Sequence, residues 1–526
     1  TFDRYIARLM QENRYTIIVV KQKGTPPDIE RFVDTILSPG VNIDYAATSQ
    51  SSTLVSLVID LQKHVYSIGY AAIDTTTGHS QTMECTGTSE DPLFALDEVY
   101  ALLRSGTCQE MLICAEQGQM DALAFVKEYL EIPHGIPVHM QQKNLSIAYQ
   151  NALFAKAYAV ESLLTPIEYL GLEHNGLEST ALASAIEFIV EHDARIASDL
   201  PRPERIGIDA FLFLGNDPLN QLSITSKEKD TDTILSLCDF TSTTIGKRLF
   251  QERLTRPITN PIELESRYAF AEAIGTVEHE VHQALKGVYD LERIARRIAV
   301  GRLHPFELVY LFESLSNAEN IRQIFEKQHI DQTILESTPH AITACLSYLQ
   351  QTFDIDQAGA YSWHTIERSF FLKGVDHTVD TLVAEIEAFE QKLATIPARI
   401  NELLVEKTGK DESEYITVKK MEKEGHYISL TKNRFALIEK EFQTTFVSVD
   451  GEVFALKDFR TKIQTSNVKI TARVIDDISA RIVATEQKLI AHIKRAYSDI
   501  LSLMHARFGE TLMTLSQGIA RTDVAL

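Results

Sequence analysis

The sequence predicts a multidomain protein, mainly α with α/β and β parts, in which a β-rich piece is inserted between two long antiparallel helices. Three observations carry this. The chain has 526 residues, whereas a single hydrophobic core rarely organises more than about 250–300. Strand-type and helix-type patterns alternate over residues 50–150 and then give way to helical spacing. Two long helical stretches, near 379–403 and 470–520, flank a segment with strand texture.

In chain order, Phe2, Ile6 and Leu9 recur at helical spacing, and Tyr15–Val20 is a buried-type strand broken by Pro26-Pro27. Arg31–Leu37 is a second strand, closed by the turn Ser38-Pro39-Gly40. This piece is too small to fold alone and must lean on a neighbour. Leu54–Leu61, Tyr66–Asp74 and Glu110–Ala115 are apolar strands, and Pro92–Arg104 and Ala122–Leu130 are helices, which together make an α/β domain. Val379, Leu382, Ile386, Phe389, Leu393, Ile396, Ile400 and Leu403 step alternately by three and four, an a/d heptad seam that Pro397 should kink. Ile475, Ile478, Ile482, Leu489, Ile493, Ala496, Ile500 and Leu503 form a second stripe, on a helix about 75 Å long. No small core buries such a helix, so it is a lever, a strut or a spine. Between the two lie the strands Glu414–Lys420, His426–Thr431 and Thr445–Leu456, the last with Asp450-Gly451 as a hairpin turn.

Apolar residues make up 44% and charged residues 24%, which excludes wholesale disorder. The net charge is −22, from 73 acids and 51 bases, which excludes a chain that grips nucleic acid along its whole length. The charge is uneven. Residues 396–475 hold 14 Lys+Arg against 12 Asp+Glu, leaving −24 for the rest, and the window 415–475 reaches +4, from 11 bases and 7 acids. The basic patch comprises Lys419, Lys420, Lys423, Lys432, Arg434, Lys440, Lys457, Arg460, Lys462 and Lys469. It is either a solvated edge that blocks aggregation or a phosphate-binding surface carried on rigid helices. The five cysteines show no CxxC spacing, which fits a reducing, intracellular compartment without choosing among nucleus, cytoplasm, mitochondrion and viral particle. No apolar run approaches the roughly 20 residues of a membrane helix, and no signal peptide is expected from the residues given. Thr1 is not an initiator Met, so the chain is expected to start inside a longer protein.

Three motifs invite chemistry. Thr241–Arg248 is the nearest text to a phosphate-cradling GxxxxGK[ST] loop, but Thr241 replaces its first glycine and Arg248 its hydroxyl residue. In His279-Glu280-Val281-His282 the histidines lie about 300° apart around a helix, which does not stack them as metal ligands. Asp60, Asp74 and Glu84 stand on successive strands and would suit a two-Mg²⁺ nuclease of ribonuclease-H type, although turn formation alone explains Asp74.

The segment Ile234–Ile274 resembles the lever signature of the MutS DNA mismatch-repair family at Leu237, Asp239, Thr241, Thr243, Gly246, Arg248, Leu249, Leu254, Pro257, Ile262 and Arg267. It departs at Cys238, at Ile245 for the usual Met and at Arg253 for the usual Trp. Asp290-Leu291-Glu292-Arg293 resembles the family's helix start, Ile68–Gly78 its connector strand, Tyr15–Gly40 the end of its mismatch-binding domain and Glu424–Arg434 its clamp strand. These five are collinear over nearly the whole chain. The clamp text and divergent lever are similar to the branch found in giant viruses and octocoral mitochondria.

The resemblance implies a division into the end of a mismatch-binding domain (1–45), a ribonuclease-H-like connector (46–150), a helical core and lever (151–395), a clamp (396–466) and a returning lever helix (467–526). It implies double-stranded DNA, mismatched or branched, as the partner, a homodimer in the intact protein, and no membrane. Lys419, Lys432, Arg434, Lys462 and Lys469 are then the expected phosphate contacts. The family's wedge is a Phe-x-Glu near the N-terminus. Phe270-Ala271-Glu272 and Phe508-Gly509-Glu510 share that text but lie in lever helices, so neither is the wedge, which would precede Thr1 or be missing. The family's ATPase domain would follow Leu526, so no catalytic, cofactor or metal residue is assigned here, and ATP and Mg²⁺ are expected of the intact protein. Two other classes remain open: the metal nuclease of Asp60, Asp74 and Glu84, and a coiled-coil protein scaffold.

Overall fold

The structure is a computed structural model that describes residues 2–11, 15–24, 28–44, 52–115, 120–133, 135–142, 145–160, 162–207, 211–212, 221–224, 232–330, 339–410, 416–421 and 425–526. Pro26-Pro27, Glu414, Lys423 and Glu424 lie outside these residues. The fold is mixed helix and sheet, with helix dominant. It divides into two units: residues 1–303, 307–347 and 501–526, and residues 304–306 and 348–500. Among the described residues no helix is long and apolar enough to cross a membrane.

The first unit opens with α1 (Phe2–Gln11) and the antiparallel pair β1 (Ile17–Lys23) and β2 (Glu30–Leu37). Ile6, Met10 and Leu37 form a very small core there, too little for independent stability. The turn after β2 is tied down: Ser38 Oγ and Gly40 N both donate to Glu110 Oε2, at 2.5 and 3.0 Å. Glu110 is fully buried, and its other oxygen meets His139 Nε2 at 2.8 Å.

The main sheet contains β3 (Thr53–Gln62), β4 (Val65–Asp74), β5 (Ser80–Thr86), β6 (Cys108–Ala115), β7 (Val138–Gln142) and β8 (Glu204–Arg205) in the spatial order β7-β6-β3-β4-β5-β8. β3, β4 and β5 are antiparallel neighbours, whereas β6 lies parallel to β3 and β7 parallel to β6. Lys63 and His64 both have positive φ, as the two-residue hairpin between β3 and β4 requires. The central strands are buried on both faces, so alternate residues enter different cores. Leu54, Val58, Ala71 and Ile73 pack with α4 (Ile147–Ala157), α5 (Pro166–Leu170) and α6 (Gly176–Asp193). Val55, Leu57, Ile59 and Ile68 pack with α2 (Phe94–Ser105) and α3 (Met120–Tyr129). At Gly69 the α6 backbone rides directly on β4, and a Cβ would overlap the Leu177 carbonyl. The sequence pattern did not reveal β7, or β8 beyond residue 150; both are short edge strands with little apolar signal.

The remaining helices of this unit include α7 (Ile234–Cys238), α8 (Thr244–Thr255), α9 (Pro261–Ile274), α10 (Glu278–Leu285), α11 (Leu291–Ala299) and α12 (Glu307–Lys327). After α13 (Pro339–Thr352) and α14 (Ile355–Ala358), the second unit contains α15 (His377–Thr408). Asp376 caps α15 through the Val379 N–H, and Gly409 ends it in the left-handed conformation. The helix continues through Pro397. The expected heptad seam is only partly a helix seam: Leu382, Ile386 and Phe389 are half-buried, while Leu393, Ile396, Ile400 and Leu403 join a core with strands.

That core also receives the sheet β13-β14-β10-β9, built from β9 (Ile416–Met421), β10 (Gly425–Thr431), β13 (Arg460–Ile463) and β14 (Asn467–Thr471). β11 (Phe446–Val449) and β12 (Glu452–Ala455) form the hairpin turned by Asp450-Gly451, both at positive φ. The sequence reading missed α16 (Lys432–Thr444), whose Phe435, Ile438 and Phe442 enter the same core at helical spacing. α17 (Arg473–Ala525) is continuous over 53 residues, about 80 Å. Its buried stripe departs from the one read in sequence. Tyr497, Leu501 and Met504 are buried, while Leu503 is 63% exposed. A strict 3.5-residue stripe drifts by about 20° per heptad on a straight helix, so after four heptads the buried face has moved by nearly one residue.

Candidate functional site

The β9–β14 sheet has an apolar and a basic face. Ile416, Ile428, Leu430, Val468 and Ile470 alternate into the core. The ladder pairs Lys462 with Lys469, Lys469 with Ser429, Ser429 with Thr417, and Tyr427 with Lys419. Directly paired residues share a face, so Lys419, Tyr427, Lys462 and Lys469 stand together opposite the core. Lys419 and Lys462 are exposed. Lys469 is different. It is 7% exposed, with Nζ 4.3 Å from the Tyr427 ring centre and 3.7 Å from Met421 Sδ. Its ammonium is folded under its neighbours, so it supports the face from below and does not present its charge to solvent.

Lys432 and Arg434 do not lie on this sheet. They occupy the first turn of α16, where Lys432 is exposed and Arg434 half-buried. That turn contains no acidic residue, and its N-cap Thr431 makes no side-chain cap bond. Two cations at the positive end of a helix dipole oppose the usual preference. Lys432 N donates to the Ser466 carbonyl at 3.1 Å, and the positive end of a helix with cations beside it is what an incoming anion favours. Lys420 points to the other face, where it pairs with Glu486 of α17, and so is committed to structure.

The three carboxylates considered for a nuclease do not meet. Asp60 pairs with Ser67 and Asp74 with Thr53, which puts the two at opposite ends of the β3–β4 hairpin, about 23 Å apart along the strands. Asp74 accepts from Thr76 N at 2.9 Å and Thr76 Oγ1 at 2.6 Å, as a turn residue does. Glu84 Oε2 accepts the N–H groups of Leu177 and Glu178 at 3.0 and 3.1 Å, so it caps α6. Among the described residues no group of three or more His, Cys, Asp or Glu could hold a metal ion. The metal-nuclease reading is therefore corrected: the antiparallel hairpin separates the acids. Glu84→Ala should lower stability by about 1–2 kcal/mol through the lost cap. Urea unfolding followed by circular dichroism checks this, with Glu84→Gln expected to retain most of the loss-free behaviour.

A second polar constellation sits in the first unit, at the C-terminal end of α17. Asp523 is 4% exposed. Its carboxylate accepts Ser242 N at 2.8 Å, Thr243 N at 2.8 Å and Thr243 Oγ1 at 2.6 Å. Thr243 in turn caps α8 through Gly246 N. A Cβ on Gly246 would fall inside the Asp523 carboxylate, so only glycine lets α17 approach. One turn along, Arg248 forks onto Asp290 with 2.7 and 2.9 Å bonds and reaches Glu292 at 2.6 Å. Asp290 also caps α11 through Arg293 N. Burial disfavours the Asp290 charge, but the bonds and charge of Arg248 outweigh this and hold its pKa below the usual value. Thr241 and Lys247 both bind Asp239. The seat a phosphate would need in the Thr241–Arg248 turn is thus filled by Asp523, and these residues do not fit a nucleotide. Ser242 Oγ meets His282 at 3.2 Å, a structural role for the histidine of the His279–His282 motif. Asp523 was not found from sequence. Its signal was an acid in the last turn of a helix, where the dipole disfavours one.

The family model for MutS domain III matches residues 218–526. A DNA mismatch repair MutS homologue of Acanthamoeba polyphaga mimivirus is 22% identical over 98% of this chain and 50% of its own length. The DNA mismatch repair protein MutS of Lactococcus lactis subsp. cremoris strain SK11 is 27% identical over 63% of this chain and 36% of its own. That of Streptococcus sanguinis is 22% identical over 87% and 50%. The chain spans half or less of the length of these relatives.

Proposed function

This chain belongs to the MutS family, and from that membership we propose that it is a DNA mismatch-repair or DNA-structure-recognition protein that clamps duplex DNA. On this reading the β9–β14 sheet with α16 is the clamp, α15 and α17 are levers, and the β3–β8 sheet is a connector of ribonuclease-H type. The intact protein would act as a homodimer around the duplex. ATP and Mg²⁺ would be used by a further domain of the family's architecture, and no residue described here is assigned to either.

The observation that carries the proposal is the start of α16, where Lys432 and Arg434 crowd a helix N-terminus that has no acidic residue in its first turn and no side-chain cap bond. Taken alone this is unfavourable, and a phosphate placed there relieves it. Lys419 and Lys462 add exposed charge on a sheet backed by a single apolar core. Contacts of this kind position a protein on the backbone and carry no sequence preference. Elsewhere the chain is acidic, which confines duplex to this surface. Replacing Lys419, Lys432 and Lys462 together with glutamine should therefore weaken duplex binding to a similar degree for different sequences. Fluorescence anisotropy with two unrelated duplexes checks this. Unchanged affinity would point to a protein-binding scaffold.

A further inference from the structure

Among the described residues, the face of the β9–β14 sheet that turns away from the core carries a single aromatic side chain, Tyr427. Its directly paired neighbour on β9 is Lys419; to its other side lie Lys469 of β14 and then Lys462 of β13. With strands about 4.8 Å apart, Lys419 and Lys462 are separated by three strand spacings, about 14 Å. One strand of B-DNA carries a phosphate about every 3.4 Å of helix axis, so the interval between the two lysines spans several nucleotides.

The charge available within that interval is withdrawn from the surface. A lysine on an exposed face ordinarily lays its stem on apolar surface and keeps its ammonium in water. Lys469 does the reverse: it is 7% exposed, with Nζ 4.3 Å from the centre of the Tyr427 ring and 3.7 Å from Met421 Sδ. Taking an ammonium out of water is costly unless other groups replace the water, and a ring face and a thioether are among those that do so here. Turning the ammonium down also eases its repulsion from Lys462, its direct cross-strand pair. Tyr427 is half-buried and stands opposite the apolar core, so the packing of that core does not call for a ring at this position. The outcome is a ring braced by a cation in the middle of the face, with charge presented to either side of it.

We propose that the Tyr427 ring is the uncharged contact of this surface, packing against a deoxyribose of the DNA backbone between the phosphates held by Lys419 and Lys462, and that Lys469 is the positioning residue that braces it. The inference rests on the reading of this sheet as the clamp. A sugar offers C–H groups and no charge, which an aromatic ring covers and an ammonium does not. Such a contact adds affinity without displacing counterions, so it is insensitive to salt. It also carries no base preference, as expected of a contact that positions the protein on the backbone.

The test is fluorescence anisotropy of the 526-residue chain with one duplex over a range of salt concentrations. Tyr427→Leu, which keeps an apolar cover over Lys469, should bind about tenfold more weakly at every salt concentration, with the slope of log affinity against log salt unchanged. Tyr427→Phe keeps the ring and should bind as the wild type does. Lys469→Met should weaken binding, again with the slope unchanged, because it removes no phosphate contact. Thermal melts followed by circular dichroism show which variants fold; if Tyr427→Leu does not, Lys469→Met, which retains the ring, decides. A slope made shallower by about 0.9 in Lys469→Met would make Lys469 itself a phosphate contact and overturn its positioning role. Wild-type affinity in Tyr427→Leu, beside weakened binding when Lys419, Lys432 and Lys462 are changed to glutamine, would overturn this inference and leave the clamp reading standing. Unchanged affinity in that triple variant would overturn both.

Discussion

Gly246→Ala should detach the C-terminal end of α17 from the start of α8. The new methyl group occupies the position of the Asp523 carboxylate, so either that side chain or the helix start must move. Movement leaves the Ser242 and Thr243 N–H groups and the Thr243 hydroxyl without their acceptor. Each buried orphan costs about 1–3 kcal/mol, and overpacking adds a similar amount. We expect a local loss of about 3–5 kcal/mol. Amide exchange at Ser242 and Thr243 should accelerate by roughly two to four orders of magnitude, since each roughly 1.4 kcal/mol is tenfold. Asp523→Ala should reproduce the faster exchange without any steric insertion, which separates loss of the acceptor from crowding.

Arg248→Ala is expected to be equally severe for another reason. It leaves Asp290 and Glu292 as carboxylates without their shared cation, in a site where the Arg248 side chain is only 20% exposed. Breaking a buried pair on one side typically costs about 3–5 kcal/mol. The effect has a pH signature. Because the Asp290 pKa is held below its unfolded value, its contribution is fully present above about pH 4 and is lost as pH falls through the folded value. The stability gap between wild type and Arg248→Ala should therefore be wide at pH 6 and narrow below pH 4. Urea midpoints at the two pH values check this, and a gap independent of pH would assign the loss to packing.

Both predictions arise from residues already visible as a motif, yet the motif did not show what it holds. Asp239, Thr241, Thr243, Gly246 and Arg248 could be matched along the chain, whereas Asp523, the acceptor for Ser242 and Thr243, is about 280 residues away and is marked only as an acid in the last turn of a helix. The strands of the main sheet were legible because both faces are apolar and the runs are continuous. β7 and β8 were not, since short edge strands bury little. The long helices were legible as stripes, but a fixed heptad could not follow the drift of the buried face from Ile500 to Leu501. α16 falls in the gap between the expected strands His426–Thr431 and Thr445–Leu456, and its start, Lys432-Asn433-Arg434, offers polar residues in place of an apolar periodicity.

The candidate sites divide in the same way. Composition located the basic segment, and pairing register was needed to sort its residues. Lys419 and Lys462 share a face, Lys432 and Arg434 begin a helix, Lys420 is spent on Glu486, and Lys469 lies under Tyr427. The nuclease reading failed on register too, since three acids near one another in sequence order fall at different ends of an antiparallel sheet.

The most direct measurement is the salt dependence of duplex DNA binding by this chain and by the variant with Lys419, Lys432 and Lys462 changed to glutamine. Each neutralised phosphate contributes about 0.9 to the slope of log affinity against log salt. The account predicts that the slope is steeply negative for the wild type and shallower by about 2–3 for the variant. A slope that the three substitutions leave unchanged would contradict it.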